Sequence, residues 1–168
     1  MRLPRLIVAA LLGAVLVLMF PGVATAATTY TDSVSGYEVY ATSTRGTFTG
    51  RATGALPGYW GATVDHKVLS PSGDVTGGSF YLATSLNGTA TLITGRVGDG
   101  EVTRLNPSAT GCVNQYYDVN LVLTHVSAGA TASGTGEFDG TLTHRRTSVF
   151  GRCVTYAATI TGSLTLSL

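Results

Sequence analysis

Charge is scarce in this chain: Asp, Glu, Lys and Arg together make up 11% of its 168 residues. With so few cations there is no basic face to follow a phosphate backbone, so no nucleic acid is expected as a partner. Surface polarity must then come from Thr, Ser, Asn and Gly, which suits a β surface better than a helical one. Cysteine is nearly absent. Cys112 and Cys153 are the only two, and in an exported protein a lone pair is most simply one disulfide. Helical periodicity is missing between Tyr37 and Leu168, where no stretch repeats apolar residues at 3.6-residue spacing. Gly-x-Ser-x-Gly is missing too, and no motif fixes a nucleophile beside a base and an orienting group, so no catalytic residue is assigned. Nothing resembles a linker, which leaves one domain.

The chain begins with Arg2 and Arg5, an apolar run over residues 6–20, Pro21-Gly22, and then Ala24-Thr25-Ala26. This is the pattern of a signal peptide cut after Ala26. The run is shorter than the roughly 20 residues a membrane span needs, so no span is expected in the mature chain. Loss of Arg2 and Arg5 takes ten basic residues to eight against nine acidic ones, and the formal charge moves from +1 to −1. No cysteine lies near the cut to carry a lipid, and the last residues offer no anchoring tail. The expectation is a secreted, extracellular domain over residues 27–168.

Period-two alternation recurs about every ten residues, with turn signals between, and this is an all-β pattern. Tyr37, Val39 and Ala41 alternate with Glu38, Tyr40 and Thr42. Phe48, Gly50, Ala52 and Gly54 alternate with Thr47, Thr49, Arg51 and Thr53, up to Leu56-Pro57-Gly58. Trp60, Ala62, Val64, His66 and Val68 form the next apolar face, which stops at Pro71. Residues 79–85 and 89–97 read as a hairpin about Asn87-Gly88, the residues a type I′ turn favours. Gly98-Asp99-Gly100 reads as a further reversal into residues 101–105, and Asn106-Pro107-Ser108 cannot continue a ladder. After Cys112, the residues Tyr117, Val119, Leu121, Leu123 and His125 share one parity. Residues 137–146 alternate Phe138, Leu142 and His144 with acidic residues and threonines. After Cys153 come Val154, Tyr156, Ala158, Ile160, Leu164, Leu166 and Leu168.

This makes eight or nine strands joined mostly by short turns, hence successive antiparallel neighbours. A single antiparallel β-barrel of about eight strands and a two-sheet β-sandwich both satisfy it. The barrel is preferred, because closing an up-and-down order removes exposed edges, and Gly50, Gly54, Gly95, Gly140 and Gly162 supply bends. The Cys112–Cys153 disulfide would tie one end of that barrel.

His66, His125 and His144 each fall on the apolar parity of their strand, which points all three toward one interior. A metal site would need such ligands to converge on one ion at about 2.0 to 2.1 Å, and their spacing gives no sign of it, so no metal and no cofactor is expected. Trp60 with Tyr59, and Tyr116 with Tyr117, stand at strand starts, where a barrel mouth would use aromatic area with a polar handle. The candidate ligand-binding set is therefore Trp60, His66, Tyr117, His125 and His144. Asp65 and Lys67 face away from His66 and form no triad with it. Glu137 and Asp139 share a solvent face, where solubility accounts for them. Arg145 and Arg146 read as a charged strand end that could also meet an anion. Asn87-Gly88-Thr89 matches a glycosylation acceptor, but the hairpin already explains it.

Gly46-Thr47-Phe48-Thr49-Gly50 is echoed by Gly136-Glu137-Phe138-Asp139-Gly140, a Phe packed inward between backbone bends. The second copy, extended back through Gly134-Thr135, resembles the Gly-rich strand motif of allene-oxide-cyclase and dirigent-type barrels. The likeness is confined to this segment and carries neither activity nor site. It implies a barrel with an apolar interior.

These readings point to a secreted binding or interaction protein, whose partner is a small apolar molecule in the lumen or an extracellular protein on the rim. A barrel enzyme of the cyclase or isomerase type, with His66, Tyr117 or His144 as the acid-base group, is the first alternative, since catalysis by pre-organisation needs little motif. An outer-membrane-type barrel with its apolar parity toward lipid, and a self-associating surface protein with Thr-rich faces, are the others.

Overall fold

Each strand pairs antiparallel with the next in sequence, and the last returns to the first. The computed structural model describes residues 26–129 and 132–168, so the expected signal peptide lies, except for Ala26, outside the described residues. The strands are β1 (Thr29–Ala41), β2 (Arg45–Gly54), β3 (Gly58–His66), β4 (Ser72–Leu86), β5 (Thr89–Arg104), β6 (Gln115–Ala128), β7 (Ala132–Val149) and β8 (Arg152–Ser167). They form one closed barrel in the order β1 to β8. Closure runs from Thr29↔Ser167 to Tyr37↔Thr159, so the barrel, and not the two-sheet sandwich, is the architecture. A closed ring leaves no unpaired strand edge.

The inward parity carries Val34, Phe48, Trp60, Val64, Phe80, Val119, Leu121, Phe138, Ile160 and Leu164, all buried. The outward parity carries Arg45, Arg51, Arg96, Glu101, Glu137 and Asp139, all exposed. The apolar parity thus lines the lumen, the reverse of the arrangement in which it would lie toward lipid. The motif shared by β2 and β7 does what the echo implied: a Cβ on Gly46 would lie 2.7 Å from the Phe48 ring and one on Gly140 2.5 Å from the Phe138 ring. Each glycine leaves the space its aromatic neighbour occupies.

Irregularities reset the phase of several strands. β1 starts at Thr29, well before Tyr37, and its inward residues are Asp32, Val34, Gly36 and Glu38. Tyr37 and Val39 consequently stand outside, 65% and 60% exposed, opposite to their apolar reading. Gly98-Asp99-Gly100 is no reversal but a bulge between Val97 and Asp99 within one continuous β5. An extra residue of this kind shifts the inward parity, from Val97 to Val102, without ending the ladder. β4 begins at Ser72 rather than at residue 79, with its phase changed at Gly77-Gly78. Val68 lies past the end of β3, and Val154 and Tyr156 are exposed at the start of β8.

The two ends of the barrel differ. At one, Leu56 in the β2–β3 turn joins Leu82, Ile93, Val126 and Leu166 in complete burial. That end is closed by packed side chains. At the other are the turn over residues 42–44, the loops over residues 67–71 and 105–114, and the tip of the β7–β8 hairpin. Cys112 and Cys153 are bonded there, with Cα atoms 5.4 Å apart. The packing places the open end of the barrel on the side of the disulfide.

Candidate functional site

Below the mouth the barrel is nearly solid, with an apolar gap of about 20 Å³ among the central side chains. This is room for about one water at most. Above it the interior widens into a cavity of about 280 Å³ that opens between the β1–β2 turn and the β3–β4 loop. Its floor and walls are Phe48, Val64, Val102, Val119 and Leu142, and its polar side chains are Glu38, Thr42, Ser43, His66, Tyr117 and His144. The volume is near the lower end, roughly 300 Å³, of pockets that hold small molecules.

Glu38 and His144 reach this space from β1 and β7, on either side of β8. Glu38 Oε2 lies 2.8 Å from His144 Nε2, with the side chains 8% and 19% exposed. The pair meets the distance of an ion pair but not the alignment of a hydrogen bond, so Nε2 has no well-directed partner among the described residues. Glu38 faces inward because the alternation from Asp32 and Val34 carries it there. Gly46 on β2, paired with Ala41, leaves it room, since a Cβ at that position would lie 2.9 Å from Glu38 Oε1.

Tyr117 stands beside this pair, its ring centroid 5.0 Å from that of His144 and tilted by 59°. Behind it lies Gln115, whose amide has one orientation that satisfies every neighbour. Its oxygen accepts from Arg146 Nη1 at 2.9 Å and from Arg104 Nη2 at 3.1 Å, and its nitrogen donates to Tyr117 Oη at 2.8 Å. The phenol thus receives one hydrogen bond and keeps its own proton to donate. Burial pushes the phenol above its ordinary value, against the opposing pull of Arg104 and Arg146, and Glu38 adds to the rise. At neutral pH the group is a proton donor.

The rim is held by its own polar bonds. Asn106 Nδ2 donates to the Asn114 carbonyl at 2.8 Å, and Asn114 Oδ1 accepts from the Arg146 amide at 3.1 Å. The disulfide ties the same loop to β8. Arg146 is turned toward Gln115 past a bulge between Arg145 and Arg146.

Of the candidate residues, His66, Tyr117 and His144 share the mouth. His66 Nδ1 lies 2.7 Å from the Lys67 carbonyl, and because a carbonyl only accepts, Nδ1 carries a proton. Trp60 is elsewhere: 4% exposed, it sits in the core below the mouth, and its indole N–H is directed at the carbonyls of Ser35 and Arg51 at 3.3 and 3.2 Å. Its place at the start of β3 is at the closed half of the barrel. His125 is on the outside. A bulge after Leu123, with His125 at φ 52°, turns it off the apolar parity while Val126 resumes the inward one. Tyr59 and Tyr116 also face outward, Tyr59 under the Arg51 guanidinium at 4.6 Å.

Glu38, Gln115 and Arg104 were not singled out by the sequence. Extending the Val34 alternation forward reaches Glu38, and extending the Tyr117 alternation backward reaches Gln115. Among the described residues no three His, Cys, Asp or Glu side chains converge as a metal site would require. The mouth offers a carboxylate, an imidazole and a phenol around an apolar floor, and so can hold a molecule with one polar oxygen and a hydrophobic body.

Set against protein-family models, curated proteins and solved structures, the chain matches none.

Proposed function

We propose that the barrel binds one small, largely apolar molecule in its mouth, with an oxygen-bearing head directed at Tyr117 and His144. The observation that carries this reading is the cavity of about 280 Å³, with an apolar floor and the polar side chains of Glu38, Tyr117, His144 and His66 around it. A packed interior would have been the cheaper solution for stability alone, because buried space forfeits dispersion contacts. The neighbouring lumen shows such packing. The disulfide is compatible with an extracellular protein, and the signal-peptide pattern expected over residues 1–26 is consistent with action outside the cell. Recovery of the chain from culture medium beginning at Ala27 tests that part.

Binding is tested by titrating 2-naphthol, 1-naphthoic acid and β-ionone while following the side-chain resonances of Tyr117, His144, Val102 and Leu142. The expected result is a saturable shift of these signals by at least one compound, lost in Leu142→Trp, whose indole fills the mouth. If no compound moves them at millimolar concentration, or if a folded Leu142→Trp protein binds equally well, the reading fails.

A further inference from the structure

We infer that the mouth is an acid-base isomerisation site for small apolar ketones, in which Glu38 and His144 form the base and Tyr117 is the donor to the carbonyl oxygen. This rests on the binding reading above and names its substrate class. Three observations carry it. A carboxylate and an imidazole, both largely withdrawn from water, lie 2.8 Å apart without the alignment that would make them a satisfied structural pair. A phenol with its proton free stands beside the imidazole, 5.0 Å between ring centroids. Two guanidinium groups converge on the amide that bonds the phenol oxygen, so negative charge arriving at that oxygen's partner would meet a positive field.

A ketone seated with its body on the apolar floor would place its oxygen toward Tyr117 and its α carbon toward the Glu38–His144 pair. The base removes a proton from the α carbon, and the C–H electron pair becomes the carbon–carbon double bond of an enolate. The carbonyl π pair moves onto oxygen, which receives the hydrogen bond of the phenol. Return of the proton to the γ carbon of a β,γ-unsaturated ketone gives the conjugated α,β isomer, and return to the α carbon exchanges that hydrogen with solvent. Nothing is oxidised or reduced, and no second reactant is required. Removing a positioned acid or base from such a step lowers its rate by about 10² to 10⁴, and removing one donor to a developing oxyanion by about 10² to 10³.

The test uses the whole mature protein with 2-tetralone and cyclohex-3-enone. Deuterium uptake at the activated methylene of the first is followed by NMR, and the rise of conjugated-enone absorbance by ultraviolet spectroscopy for the second. The expected result is exchange and isomerisation faster than in buffer of equal imidazole and acetate content. Glu38→Gln and Tyr117→Phe should each lower the rate at least about a hundredfold, while keeping the melting transition and the tetralone-induced shifts at Val102 and Leu142. The outward His125→Asn should leave the rate unchanged. Tetralone that binds in the mouth without accelerated exchange overturns the catalytic inference and leaves the binding reading standing. Tetralone that moves no mouth resonance overturns the ketone class, and the binding reading is then decided by its own three compounds. Equal loss of rate in His125→Asn and Glu38→Gln also overturns the inference, because the activity then does not belong to the mouth.

Discussion

Glu38 and His144 meet at 2.8 Å although β8 separates their strands, so the contact spans the curvature of the barrel rather than one ladder. It depends on Gly46, the position where a Cβ would crowd both Glu38 Oε1 and the Phe48 ring. Gly46→Ala should therefore push the carboxylate away from the imidazole. The crowded atoms are side-chain ends that can move, so the barrel should still fold, at a cost of about 1 to 3 kcal/mol. The check is the His144 ring resonances together with a urea titration. Unmoved resonances would show that the glycine is not what admits Glu38.

Tyr117 should make the barrel sensitive to alkali. Burial holds its phenol above the ordinary value of 10, so the folded chain keeps a proton that the unfolded chain releases. Stability from this difference is fully present below pH 10 and is lost as pH rises toward the folded value. The loss approaches about 1.4 kcal/mol per pH unit for one proton. Tyr117→Phe should remove that component, so the wild type should lose stability relative to the variant between pH 10 and pH 11. Urea titrations at pH 8, 10 and 11 measure it, and parallel curves would contradict it.

The fold was legible because alternation is a strong signal wherever it is uninterrupted. β2, β3, β6 up to Leu123 and β8 from Ala158 face as their patterns say, and the closed barrel follows from short antiparallel links. Interruptions were less legible. A bulge inserts one residue without a turn signature of its own, so Gly98-Asp99-Gly100 read as a reversal and His125 as an interior residue. Glu38 was hidden for another reason: its outward neighbours Tyr37 and Val39 are more hydrophobic than it is. Beginning the strand at Thr29, where Thr31, Ser33 and Ser35 alternate with Asp32 and Val34, would have set the right phase. Trp60 reads as a mouth residue from its place at a strand start, but two kinds of strand start exist in an up-and-down barrel, and one is at the closed end.

The disulfide should contribute much of the stability. It closes a loop with a sequence separation of 41 between the β5–β6 connection and β8. The chain-entropy argument gives about 4 kcal/mol for a loop of that length. Replacement of both cysteines by serine should lower the melting temperature by about ten degrees or more. Calorimetry of the double variant checks this, and an unchanged melt would refute it. Because the bridge holds the loop that carries Asn106 and Asn114, the mouth should also lose ligand affinity before the barrel unfolds.

Asp32 offers a test at the opposite end. Its side chain is 2% exposed, and Oδ1 accepts from the Leu56 amide at 2.8 Å, while Oδ2 has no partner among the described residues. That single bond fixes the turn whose Leu56 side chain plugs the closed end. Asp32→Ala would leave a buried N–H unpaired, which costs about 1 to 3 kcal/mol. Asp32→Asn keeps an oxygen acceptor in the same place and should retain most of what the alanine variant loses. The discriminating measurement is the protection of the Leu56 amide from hydrogen exchange in the two variants. If protection falls equally in both, the carboxylate charge rather than the hydrogen bond holds the turn. If it falls in neither, Leu56 is kept in place by apolar packing alone.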